Sequence, residues 1–169
     1  MAQTGGSSGS IVPASLQDTP MDFESFRKAG VSLGSGALLI CDQNTCIVDL
    51  VKVLLQFFRF ESCGKCTPCR VGTQRAYEIV DRISQGRGQL EDLDVILSLA
   101  QEMERAANCG LGVTAAVPIR DMLKHFRTYQ LSIRFYRDCS NLRLPRHLKD
   151  QRWCVAIWKR TFRQSGFSC

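Results

Sequence analysis

Polar residues interrupt an otherwise apolar stretch after Thr45 at Asp49, Lys52, Gln56 and Arg59, in steps of three, four and three. That spacing confines them to one stripe and leaves Ile47, Val48, Leu50, Val51, Val53, Leu54, Leu55, Phe57 and Phe58 around the rest, predicting a helix buried on most sides. A loop over Glu61 to Cys66 follows. Thr67-Pro68 then reads as an N-cap with proline at the first helical position, opening a second helix from about Pro68 to Ser84 with Ala76, Ile79, Val80 and Ile83 inward. A third begins near Leu90. Glu91, Asp92 and Asp94 lie at its positive end, Leu93, Ile96, Leu97, Ala100, Met103 and Ala107 form one face, and it stops before Asn108. The fourth runs from about Ala115 to Tyr129, with Ile119, Met122, Leu123 and Phe126 inward and Arg120, Asp121, Lys124 and Arg127 outward. Four helices with short connections predict a mainly α fold, a four-helix bundle.

Upstream the pattern changes. Ala37-Leu38-Leu39-Ile40-Cys41 is a short apolar run between glycines and Asp42-Gln43-Asn44, the signature of a buried strand. Residues 11–36 read as irregular connecting chain. Met1 to Ser10, rich in Gly and Ser with no side chain able to build a core, reads as a flexible linker. Beyond Leu131 no period is sustained.

Charge divides the 169 residues differently from hydropathy. The net charge is +6, but residues 1–130 carry 13 Lys and Arg against 14 Asp and Glu, while residues 131–169 carry 9 against 2. The basicity that would suggest nucleic acid or an anionic membrane therefore belongs to the tail alone. There, Trp153, Ile157, Trp158 and Phe162 recur at helical spacing beside Arg152, Lys159, Arg160 and Arg163, the pattern of an interfacial helix; an unstructured tail is the preferred expectation. Lys52 and Arg59 break the richest apolar stretch well short of the roughly 18 residues of a membrane span. The N-terminus has neither a secretory nor a transit pattern, so a reducing cytoplasm is expected.

The nine cysteines carry the chemistry. Cys63, Cys66 and Cys69 are each separated by two residues, and Cys109 follows after 39 more. Such spacing aims successive sulfurs into one concave site, and three close sulfurs plus a remote one suit the four irons of a cubane. Structural zinc more often takes two close pairs, and here the second pair is missing, so the spacing ranks an iron–sulfur cluster above zinc and both above buried thiols. Cys69 near the start of a helix, with Lys65 and Arg70 beside the loop, favours a more negative, reduced centre. Gly64 suits close backbone approach between two ligands or a simple turn. Cys41 and Cys46 read as core thiols. Cys139, Cys154 and Cys169 lack companions at ligand spacing, as do His125 and His147. There is no Ser/His/Asp or Cys/His set and no P-loop, and Gly34-Ser35-Gly36 precedes its strand, the wrong order for a dinucleotide fingerprint.

Glu61-Ser-Cys-Gly-Lys-Cys-Thr-Pro-Cys-Arg-Val-Gly-Thr73, followed by Cys109-Gly-Leu-Gly112, Pro118 and Phe126, resembles the [4Fe-4S] domain of NADH dehydrogenase flavoprotein subunits, including the diaphorase subunits of NAD-reducing hydrogenases and NAD-dependent formate dehydrogenases. Asp18 to Ser25, Leu33 to Gly36 and Asp42 to Asp49 resemble the segment that precedes the cluster there, and Gly5-Gly6-Ser7-Ser8-Gly9 resembles a turn at the end of its β-grasp domain. The resemblance spans roughly residues 5–130. It implies residues 1–40 as the end of a β-grasp domain and connecting segment, 41–130 as a helical cluster-binding domain, and 131–169 as a basic tail, poorly ordered.

By the same resemblance, Cys63, Cys66, Cys69 and Cys109 ligate one [4Fe-4S] cluster that takes single electrons from a flavin after hydride transfer from NADH. FMN and NADH belong to a partner domain or subunit whose glycine-rich sequence is missing here, which reads the chain as a C-terminal fragment unable to oxidise NADH alone. Other iron–sulfur subunits are the further expected partners and nucleic acid is not one. Membrane association is expected only through the complex, on the cytoplasmic face. A zinc-binding interaction domain built on the same four cysteines is the alternative.

Overall fold

A computed structural model describes residues 1–42 and 45–125, all within one compact unit. The predicted tail, with its three cysteines and its tryptophan-bearing stripe, lies outside the described residues, as do Phe126, Arg127 and His147. The described chain is mainly helical with one small sheet. Strands β1 (Ala2–Thr4) and β2 (Ile11–Val12) precede helix α1 (Phe23–Lys28), strand β3 (Leu38–Ile40) comes after it, and α2 (Ile47–Glu61), α3 (Thr67–Ser84), α4 (Glu91–Ala106), α5 (Gly110–Thr114) and α6 (Val117–His125) follow.

Helix α2 packs on α3, α3 on α4, and α6 on both α4 and α2. The main core lies among them: Val51, Leu55 and Phe58 from α2, Ala76 and Val80 from α3, Ile96 and Met103 from α4 and Ile119 from α6 are at most marginally exposed. The predicted helices thus agree closely with those formed, with two adjustments. Leu97 lies outside the buried face of α4 and Ala107 beyond its end. A short helix not expected from the sequence, α5, precedes the fourth predicted one, which starts at Val117 and not Ala115 because the chain turns at Ala115 and Ala116, both fully buried. Pro118 falls in the first turn of α6, where its missing N–H breaks no helical bond.

The sheet is antiparallel in the order β2-β1-β3, with Gln3 opposite both Ile11 and Leu39 and Ala2 opposite both Val12 and Ile40. Alternation then divides its faces. Ile11 and Leu39 join the helical core, whereas Ala2 and Val12 form a second cluster with Phe26 of α1 and Val31. The run at Leu38–Ile40 is accordingly an edge strand and not a buried one: Leu38 is 48% and Ile40 68% exposed.

Met1 to Ser10 is the larger correction. The segment contains β1 and a 3-10 turn at Gly6–Ser8, and it is ordered by backbone proximity that only glycine permits. Gly5 (φ +71°) and Gly34 (φ +55°) cross so closely that a Cβ on Gly34 would lie 2.5 Å from the Gly5 Cα. A Cβ on Gly9 would fall 1.4 Å from the Thr4 carbonyl oxygen. Buried Thr4 fixes the crossing, its Oγ1 donating to the Ser32 carbonyl at 2.6 Å. The glycine-rich composition that resembles a linker is what this packing requires.

Asp121 also departs from expectation. Helical spacing puts it on the outer face of α6, yet it is only 1% exposed because β2 covers that side, and the Ile11 N–H donates to its Oδ2 at 2.9 Å. Burial pushes its carboxyl up, against the lowering pull of Ile11, Arg120, His125 and Ser10. The native state therefore keeps this proton to higher pH than the unfolded chain. Its contribution to stability is complete below the unfolded value of 3.8 and disappears as pH rises through the raised native value. Asp121→Asn, which still offers an oxygen to Ile11 but cannot ionise, should remove that pH dependence. Asp121→Ala strands a buried N–H and should cost about 1–3 kcal/mol. Urea unfolding at acid and neutral pH checks both outcomes.

Candidate iron–sulfur site

Three pieces of chain meet at one end of the helices. Helix α2 stops at Glu61, Ser62 is extended, and Gly64 at φ +73° turns the chain back toward α3. This turn, and not close approach, is why glycine stands at position 64, since a Cβ there would meet nothing nearer than Arg70 Cδ at 4.0 Å. Cys66 is extended and immediately precedes α3, which starts one residue earlier than predicted. Thr67 and Pro68 are its first two residues and Cys69 its third. Cys109 likewise is extended and precedes α5. Both α3 and α5 therefore turn unpaired N–H groups of their first turns toward the cysteine-bearing end.

The four predicted cysteines differ in environment. Cys69 is buried, Cys66 half-buried, and Cys63 and Cys109 are exposed. Backbone N–H groups of Asn108 and then Cys69 donate to the Cys66 sulfur, and Arg70 adds positive charge, holding that thiol below its ordinary range. The Asn108 bond ties the loop before α3 to the turn before α5. Burial pushes the Cys69 thiol up, the Ser62 hydroxyl opposes it, and negative charge on Cys66, Cys109 or Cys63 would push it further. The other three sulfurs thus all lie within reach of Cys69. Among the described residues no three His, Cys, Asp or Glu side chains stand at the spacing that holds a single metal ion.

Two glycines and an arginine shape the cradle. A Cβ on Gly112 would lie 2.6 Å from the Ala107 Cβ, 3.0 Å from the Cys69 Cβ and 3.4 Å from the Cys69 sulfur, so the bare backbone of α5 makes room for that thiol. The Gly64 carbonyl accepts from Arg70 Nη1 at 2.6 Å, and Arg70 Nη2 reaches Thr67 Oγ1 at 3.4 Å. Arg70 is therefore a loop brace as well as a charge, whereas Lys65 is exposed. Gly112 and Ser62 stand within the motifs that carry the resemblance, but sequence gives neither a role of its own; the Ser62 Oγ lies 3.3 Å from the Cys69 sulfur. Their positions beside Cys109 and Cys63 are the available signal.

Other expected residues remain apart from this site or are simply structural. Cys41 follows β3 and packs against the main core, and Cys46 immediately precedes α2. No described cysteine forms a disulfide. His125 Nε2 is buried without a hydrogen bond among the described residues, and burial lowers the pKa of its ring. No described helix is long and apolar enough to cross a membrane.

Four thiols of graded burial, helix N-termini directed at them and a glycine opening beside the most buried sulfur form a donor set that suits an iron–sulfur cluster. Comparison with known proteins agrees. The chain is 40% identical over 124 residues to an NADH-quinone oxidoreductase subunit of Rickettsia felis, covering 73% of this chain and 29% of that protein. It is 42% identical over 124 residues to the NADP-reducing hydrogenase subunit HndC of Solidesulfovibrio fructosivorans, covering 73% and 25%. A crystal structure of an NAD+-reducing [NiFe]-hydrogenase superposes with a TM-score of 0.67 at 33% identity, over 78% of this chain and 22% of the other. The chain thus spans little more than a quarter of the curated relatives' length. Residues 49–131, which include all four cysteines, match the NADH-ubiquinone oxidoreductase-F iron-sulfur binding region, and this segment of the chain belongs to that family.

Proposed function

We propose that this chain is a one-electron relay of an NADH-oxidising assembly, and that Cys63, Cys66, Cys69 and Cys109 hold one [4Fe-4S] cluster between the loop before α3 and the turn before α5. The observation that carries the reading is the meeting of two separate pieces of chain inside the family segment, where Gly112, three residues beyond Cys109, packs directly against the Cβ and sulfur of Cys69. Bound there, the cluster supplies uptake and release of single electrons. The chain's own residues supply position and potential. Cys69 fixes the buried corner beside Gly112, Cys63 and Cys109 present the exposed side, and the first-turn N–H groups of α3 together with Arg70 favour the more negative state. No residue of the site acts as a nucleophile or general acid in this reading.

FMN and NADH belong to a flavin/NADH-binding partner domain or subunit, and other iron–sulfur subunits continue the path. The contacts among α2, α3, α4 and α6 support a four-helix bundle as the carrier of the site, with residues 1–40 as the end of a β-grasp domain. Location on the cytoplasmic face of a membrane follows from the assembly alone. Reductive titration of the anaerobically reconstituted chain tests the relay. One electron per chain should be taken up with a new EPR signal, NADH alone should be ineffective, and NADH with a flavin-bearing partner should suffice. Direct reduction by NADH, or no electron uptake at all, would refute it.

A further inference from the structure

Ser62 occupies a position that the relay described above does not use. It is the first residue beyond α2, and its extended backbone returns the side chain toward α3, where Oγ lies 3.3 Å from the sulfur of Cys69. The Gly64 N–H donates to the same Oγ at 3.3 Å. One lone pair of the hydroxyl oxygen is therefore engaged, and a thiolate ligand has no proton to give, so the hydroxyl proton is left to point at the sulfur. The arrangement is braced from outside. Gly64 holds a left-handed conformation that favours glycine, and Arg70, adjacent to Cys69, grips the Gly64 carbonyl. Ser62, Gly64, Arg70 and Cys69 thereby form a short ring around the loop, closed by three hydrogen bonds and the chain link between Cys69 and Arg70.

Among the four sulfurs this bond falls on the one best shielded from water, since Cys69 is 4% exposed and Cys63 and Cys109 are open. A hydrogen bond in a dry environment is electrostatically stronger than the same bond in water. Donors to the sulfurs of a cluster stabilise its reduced form most, because reduction adds negative charge there. We propose that the Ser62 hydroxyl donates to the Cys69 sulfur and raises the reduction potential of the cluster that this sulfur helps to hold. Ser62 is a positioning residue, acting through its ligand neighbour, and the inference rests on the ligand assignment proposed above.

The test is potentiometric titration, followed by EPR, of the anaerobically reconstituted full chain and its S62A, S62T and S62V variants. Threonine and valine differ in the hydroxyl while sharing the added bulk, so their comparison remains valid if alanine alone perturbs the loop. Ser62→Ala and Ser62→Val should lower the midpoint potential, and Ser62→Thr should stay near the unsubstituted chain. A tenfold preference of the hydroxyl for the reduced state corresponds to about 59 mV for a one-electron couple. Equal potentials in loaded threonine and valine variants would overturn the inference while leaving the relay intact. Loss of iron from both hydroxyl-free variants, with threonine loaded, would also overturn it, because the hydroxyl would then hold the cluster and not set its potential. An unsubstituted chain that takes up no iron would refute both the relay and this inference.

Discussion

Serine in place of Cys63, Cys66, Cys69 or Cys109 is expected to leave the chain without its cluster, whereas serine in place of Cys41 or Cys46 leaves iron content unchanged. A hydroxyl is a harder and far less acidic donor than a thiol, and iron–sulfur clusters are held by thiolates. Loss of a residue that only orients a metal ligand typically costs 10–100-fold in affinity. Loss of a ligand itself should exceed about 100-fold on that scale. Position grades the secondary consequences. Cys69 is packed against Gly112 and lies within reach of Ser62, so its replacement also disturbs the junction of α3 and α5. Cys63 is exposed, and its replacement should leave the helices intact. Iron and acid-labile sulfide analysis measures the loss, and circular dichroism separates it from unfolding.

The largest effect on stability is expected at Gly9, a residue whose surroundings in sequence read as a linker. Gly9→Ala puts a Cβ onto the Thr4 carbonyl oxygen and against the Gly5 Cα, both of them backbone atoms that cannot rotate aside. Overpacking in a core costs about 1–3 kcal/mol when side chains can yield, so a clash with fixed backbone should exceed about 3 kcal/mol. Gly6→Ala is the internal control. Its φ of +68° disfavours alanine, but nothing lies within 4 Å of the added carbon, and the expected loss is the conformational term alone, about 1–2 kcal/mol. Chemical denaturation should therefore rank Gly9→Ala well below Gly6→Ala. Equal midpoints would mean that the Gly5–Gly9–Gly34 crossing does not order the N-terminal segment.

These glycines show where the sequence is legible and where it is not. Helical period locates α2, α3 and α4 within a residue or two because the polar positions of each recur at helical spacing. The period reports only a helix's own surface. It does not show that β2 covers the outer side of α6, and so it reads Asp121 as exposed although that residue anchors Ile11 across 110 residues. Composition misleads for the same reason at Met1 to Ser10, where absence of side chains permits long-range backbone contact and not flexibility. The cysteine spacing is informative because a covalent ligand set is written locally, apart from Cys109. Ser62 and Gly112 stand inside the cysteine motifs without a legible role, because each acts only once its piece of chain meets Cys69 of α3.

Anaerobic reconstitution of the full chain with iron and sulfide, followed by metal and sulfide analysis and EPR of the reduced protein, tests the cluster assignment most directly. About four irons and four sulfides per chain, with one reducible EPR-active centre lost in the four cysteine variants, is the predicted result. About one zinc per chain bound through the same cysteines, with no iron retained, would contradict it.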